Sequence, residues 1–256
     1  MTRAALVALA SCLLVPASAG TSTAPPPVAL TASPARVVLA GADRAEVRVV
    51  NAGRTSVVVS ATRAGFALDL RGRPRIVRPG ARTAVPWLTV RPSRLALRPG
   101  ASATVAVSSR PPPGAEPGDH DALVLLTTLA PAANRIAVRM RLGVVVVVRA
   151  PGTVVRRLDP LSLRVREARG RRVLELLLAN RGNVTERLTR ERVRVWLERP
   201  GKVRVRLRPD PRDLRPRTRG IVRLPYRGRW RGRVTVRLEL VVEPGVMVRR
   251  AYRLRL

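Results

Sequence analysis

The chain has one cysteine, one histidine and one lysine in 256 residues, and only six aromatic side chains: three Trp, two Tyr and one Phe. Each scarcity excludes something. A single thiol, Cys12, forms no intramolecular disulfide, so the fold rests on its apolar core alone. Hydrolytic or redox chemistry needs a nucleophile, a base and an orienter, or a metal cluster. The one imidazole, His120, lies in Gly118-Asp119-His120-Asp121. Neighbours at i±1 on a strand point to opposite faces, so these three groups do not converge on an ion. The segment reads as a solvated loop entering a strand. There is no glycine-rich phosphate loop, and the 16 acidic residues are scattered. We expect no enzyme, no cofactor and no metal. Nucleic-acid readers interleave aromatic with basic side chains for stacking. Six aromatics do not supply that, so nucleic acid is not the expected partner.

What is present begins with an export signal. Arg3 precedes an apolar run from Ala4 to Val15, Pro16 breaks it, and Ala17-Ser18-Ala19 offers the small-x-small pattern of a cleavage site. Residues 1–19 therefore read as a secretory signal peptide, too short for a permanent membrane span. Leu9-Ala10-Ser11-Cys12 also has the form of a bacterial lipoprotein box, which makes Cys12 a candidate for lipidation. Cleavage after Ala19 leaves a cysteine-free soluble chain; cleavage before Cys12 leaves a lipid-anchored one. No later stretch has the ~18 apolar residues of a transmembrane helix. The expected location is exported: periplasm, cell surface or extracellular.

The formal net charge is +34, from 50 basic and 16 acidic residues. Up to Ala150 there are 19 basic against 6 acidic residues, a net +13; after it, 31 against 10, a net +21. Lys202 is the one lysine, so the excess is arginine. With the richness in Ala, Val, Gly and Pro, this bias is that of a high-GC bacterial genome. For an exported chain, the expected partner is an anionic cell-wall polymer or a surface protein.

After a disordered lead-in (residues 20–27), apolar residues recur with period two in short runs that Gly, Pro and Asn punctuate. The most regular run carries Ile136, Val138, Met140, Leu142, Val144, Val146 and Val148 on one face, with Arg139 and Arg141 on the other. Ala150-Pro151-Gly152 then separates residues 28–150 from 151–256, where the pattern repeats. Leu161, Leu163 and Val165 alternate with arginines, as do Val234, Val236, Leu238 and Leu240, and Pro209 to Pro216 reads as a loop. The fold class expected is all-β: two tandem immunoglobulin-like β-sandwich domains. Trp87 and Trp196 read as core fillers. Trp230, between Arg229 and Arg231, reads either as stacking platform for an anionic or sugar ligand, or as a ring tucked under a hairpin.

The segments VALTASPARVVLAGADRAEVRVVNAG, WLTVRPSRLALRPGASATVAV, PPPGAEPGDHDALVLL and RIAVRMRLGVVVVVRAP resemble the first domain of periplasmic pilus chaperones of the PapD-like superfamily. They are equally similar to the peptidoglycan-binding domain of WxL-interacting surface proteins. The chaperone resemblance implies β-strand addition to a fibre subunit. It also implies an arginine early in the first strand and a lysine in the last strand of domain one, which together anchor the subunit's terminal carboxylate. Arg36 matches the arginine; Val145 occupies the lysine position. The candidate binding residues are Arg36, Arg139, Arg141, Arg229, Trp230 and Arg231. The leading expectation is a non-enzymatic envelope module for wall material or a surface partner. The alternative is a pilus-type assembly chaperone.

Overall fold

Alternating side chains with turn residues between them leave this chain little choice but strands. The computed structural model describes Pro26 and residues 28–129, 139–168 and 171–256. The segment read as a signal peptide, with Cys12, and also Ile136 and Val138 lie outside the described residues. In the first half the strands are Leu30–Ser33 (β1), Arg36–Ala40 (β2), Asp43–Asn51 (β3), Val57–Leu68 (β4) and Pro74–Val77 (β5). Leu88–Arg91 (β6), Arg94–Leu97 (β7), Ser102–Ser109 (β8), Gly118–Leu129 (β9) and Arg141–Ala150 (β10) follow. The second half carries Leu158–Ala168 (β11), Arg171–Asn180 (β12), Glu186–Leu188 (β13), Val193–Glu198 (β14) and Val205–Leu207 (β15). It closes with Arg212–Leu214 (β16), Arg219–Tyr226 (β17), Arg233–Glu243 (β18) and Val246–Arg255 (β19). The architecture is all-β, and no helix among the described residues is long and apolar enough to cross a membrane.

Two sheets sandwich the first core. One has the order β1-β3-β8-β6; the other runs β2-β10-β9-β4-β5, with β7 also on β4. Val47, Val49, Val105 and Val107 from the first sheet meet Val59, Val124, Leu126, Val144 and Val146 from the second, all buried. Burying one face of each sheet drives this packing, as period-two patterning requires. The chain changes sheets at Pro34-Ala35: β1 pairs with β3, whereas β2 runs parallel to β10. The second domain repeats the plan with sheets β11-β12-β17 and β15-β14-β18-β19 and a small β13-β16 pair.

Both domains reuse one corner. Asn51 in Asn-Ala-Gly and Asn180 in Asn-Arg-Gly are buried at strand ends. Asn51 Nδ2 donates to the carbonyls of Thr55 and Leu97 at 2.8 and 3.1 Å, and its Oδ1 accepts from Gly53 N–H at 3.0 Å. Asn180 does the same with Val184, Leu214 and Gly182, at 2.8, 3.0 and 2.9 Å. Each amide thus ties three backbone groups together at its turn.

Four expectations need correcting. The Asp119-His120-Asp121 segment is not a solvated loop: it lies within β9, and all three residues are buried. Pro209 to Pro216 is not wholly loop, because Arg212–Leu214 forms β16. The alternation through Leu161 breaks at a bulge between Pro160 and Ser162, which leaves Leu161 exposed while Leu163 is buried. Trp196 stands on the outer face of β14, with the Arg204 guanidinium 4.5 Å above its ring. Trp87, in contrast, packs half-buried against the first core.

Candidate functional site: the cleft between the domains

The two domains meet along the start of β9. Because residues 119 and 121 share a face, both carboxylates point to the second domain. Asp119 accepts from Arg149 Nε at 2.7 Å and from the Thr185 N–H at 2.8 Å, and its own N–H donates to Asn183 O at 2.8 Å. Gly118 permits this approach. Its φ is +113°, and a Cβ there would stand 2.2 Å from Asn183 O. Asp121 accepts from Arg215 Nε at 2.5 Å. Arg215 also donates to Phe66 O at 2.9 Å and lies 4.5 Å over the Phe66 ring. Burial pushes the Asp121 carboxyl above its ordinary value, and the charge and hydrogen bond of Arg215 pull it back. The Arg149 guanidinium is raised, first by its hydrogen bond to Asp119, against burial.

His120 points the other way. Its ring lies 4.4 Å from that of Trp87, and its Nε2 is 2.7 Å from Glu116 O. Beside these pairs, the turn between β4 and β5 grips the second domain. Leu70 O accepts from Ile221 N–H at 2.7 Å, and Arg71 Nη2 donates to the buried Glu175 at 2.9 Å.

Between the domains opens a cavity of about 470 Å³, with Val145, Val147 and Leu123 on its floor and Phe66, Arg36 and Arg215 around it. Parallel register sets Arg36 directly beside Val145, so both side chains face the cleft. Arg36 Nη1 makes an ion pair with Asp213 of β16. Arg141 also lines this cavity. A larger groove, about 1190 Å³, crosses the outer face of β3 and β8 between Arg44, Arg63 and Arg91. None of the residues lining that groove carries a buried side-chain polar atom without a hydrogen-bond partner among the described residues; two residues lining the inter-domain cavity do, Arg36 at Nε and Thr185 at Oγ1.

One edge of the cleft is unpaired among the described residues. β10 is bonded to β9 along its whole length, but β2 covers its other side only over Val145–Arg149. Among the described residues, no strand covers the outer side of Arg141–Val144. Val145 N–H points outward, to Ala35 O at 3.0 Å. By the two-residue period, the N–H groups of Gly143 and Arg141 point to the same open side.

Of the residues singled out from sequence, Arg36 and Arg141 come together in this cleft. Arg139 is exposed just before β10. Arg229, Trp230 and Arg231 lie elsewhere, in the connection between β17 and β18. Trp230 packs against the second core, and its N–H donates to Tyr226 OH at 2.9 Å. The sequence reading missed Asp121, Thr185, Asp213 and Arg215 as cleft residues. The last two sit in the segment read as a loop, and only an unpaired basic or acidic residue amid prolines marked them.

No group of three or more His, Cys, Asp or Glu residues that could hold a metal ion occurs among the described residues. No family model and no curated protein matches this chain. Solved structures do match. The chain is similar to a chain of the chaperone–tip adhesin complex of CFA/I fimbriae biogenesis: 13% identity, TM-score 0.50, covering 87% of this chain and 98% of that one. It is similar also to the class 5 fimbriae chaperone CfaA (13%, TM-score 0.49, 87% and 98%) and to the periplasmic chaperone SfaE (13%, TM-score 0.42, 89% and 100%). The fold is thus all-β, two tandem immunoglobulin-like β-sandwich domains, as the similarity over both halves of the chain shows. The leading expectation, a wall-binding envelope module, does not stand: the match with a fimbrial chaperone complex runs through both domains. The WxL-interacting identity and its peptidoglycan binding find no support in these comparisons.

Proposed function

We propose that the protein is a non-enzymatic assembly chaperone for surface-fibre subunits, acting after export in the periplasm. A subunit strand adds to the open edge of β10, and its chain-terminal carboxylate docks at Arg36. One observation carries this reading: the edge at Arg141–Val144, unpaired among the described residues, opens beside a cationic, apolar-floored cleft. Open edges are liabilities that folded proteins normally cover or charge. An edge left open next to pockets for alternate side chains is suited to strand addition. The complex of chaperone and tip adhesin with which this chain shares its fold supports the same class of partner.

The test uses a synthetic peptide of alternating valine and threonine ending in a free carboxylate, and the same peptide amidated. Fluorescence anisotropy is expected to show tighter binding of the free acid, with the preference lost in Arg36→Ala. Equal binding of both peptides by the native protein would sink the carboxylate anchor.

A further inference from the structure

Two guanidiniums in the cleft each hold an internal carboxylate, but the two pairs are built differently. Arg215 and Asp121 have side chains only 20% and 5% exposed. Arg215 is fixed further by Phe66 O and the Phe66 ring. Arg36 and Asp213 are 34% and 33% exposed. Their contact runs through Nη1 alone, and Arg36 Nε is buried without an acceptor. Asp213 rides on a three-residue strand paired only with the equally short β13. The first pair is a fixed structural contact, whereas the second is about one-third in solvent and uses one edge of a forked donor.

The surroundings favour a further anion. Arg36, Arg75, Arg141 and Arg215 line the cavity against Asp121 and Asp213, four positive charges to two negative. Neither Arg75 nor Arg141 is in an ion pair among the described residues. The lysine position beside Arg36 is Val145, so β10 supplies no second donor there. Thr185, from the second domain, lines the same cavity with a buried, unpartnered hydroxyl.

We propose that Asp213 is a placeholder: in the free protein its carboxylate occupies Arg36, and the incoming chain-terminal carboxylate displaces it. The inference rests on the chaperone reading of this cleft. Two carboxylates on one guanidinium repel, so the incoming group exchanges with Asp213 instead of joining it. The new carboxylate takes the Nη donor that Asp213 vacates. The Thr185 hydroxyl is the second donor, contributed across the domain junction. The free chaperone therefore keeps its anchor neutralised until a subunit arrives.

The test removes the charge at position 213 and reads carboxylate binding directly. Acetate is titrated into the native protein, Asp213→Asn and Asp213→Ser, following the Arg36 Nε–H signal by NMR, with thermal melts to establish folding. Both variants are expected to bind acetate about two- to fivefold more tightly, the range set by a partly exposed ion pair. They are expected to bind the free-acid peptide more tightly by a similar factor and the amidated peptide no more tightly. Unchanged or weaker acetate binding in both variants overturns the placeholder. If the native protein prefers the free-acid peptide while the Asp213 variants gain nothing, the placeholder fails and the chaperone reading stands. If the native protein binds both peptides equally, the chaperone reading loses its anchor, and the acetate comparison still decides on Asp213.

Discussion

Replacing Arg215 by Ala strands the Asp121 carboxylate inside the domain junction. Breaking a buried pair by removing one partner costs about 3–5 kcal/mol. Part of that loss is independent of pH. The hydrogen bond to Phe66 O contributes about 1 kcal/mol, and the stacking over the Phe66 ring about 0.5–1 kcal/mol. The remainder, about 1–3.5 kcal/mol, is the stranded charge, and it titrates. The folded-state pKa of Asp121 is raised above 3.8, first by burial. Its contribution to stability is therefore fully present below 3.8 and is lost as pH rises through the raised value. Arg215 limits that loss, and without it the pKa climbs further. Urea melts of native protein and Arg215→Ala at neutral pH and just below pH 3.8 are expected to show the full cost at neutral pH and only the pH-independent part in acid. Asp121→Asn in the Arg215→Ala background should recover the difference. Equal losses at both pH values, with no recovery in the double variant, would refute this account of the junction.

Other outcomes follow from the same contacts. Asn180→Ala removes the side-chain donor to two buried carbonyls and should lose about 2–4 kcal/mol in urea melts; Asn51→Ala removes it from one, that of Leu97, and should lose about 1–3 kcal/mol. Arg71→Ala leaves Glu175 buried and without its closest cation, at about 3 kcal/mol, and Glu175→Gln in that background should restore most of it. Asp69 is held at about 2, chiefly by the Arg73 N–H and side chain, with the Arg71 N–H adding to them. Its contribution is present above 3.8 and lost as pH falls through about 2, which a carboxyl NMR titration reads directly. Gly118→Ala places a Cβ against Asn183 O at a positive φ, and increased proteolysis between the domains is expected.

The strands were legible because their period of two is written in adjacent residues. Leu142, Val144, Val146 and Val148 fall on the core side of β10, as their spacing demands. The cleft was only half legible. Arg36 and Arg141 could be singled out, but their meaning depends on residues far along the chain. Arg36 meets Asp213 across 177 positions, and Arg215 meets Asp121 across 94. Nothing local signals such a pair. The same long-range pairing explains why Asp119-His120-Asp121 misread as solvated: three polar residues in a row look exposed until Arg149, Thr185 and Arg215 are placed around them. Trp196 misled for a converse reason, since an aromatic in an apolar strand can lie on the outer face when an arginine covers it.

Hydrogen exchange at β10 tests strand addition most directly. In the free protein the Gly143 amide, facing the open edge, should exchange much faster than the Val145 amide, which donates to Ala35 O at 3.0 Å. With the free-acid valine–threonine peptide bound, Gly143 and Arg141 should become protected to the level of Val145. Peptide binding that leaves the Gly143 amide unprotected would contradict strand addition at this edge.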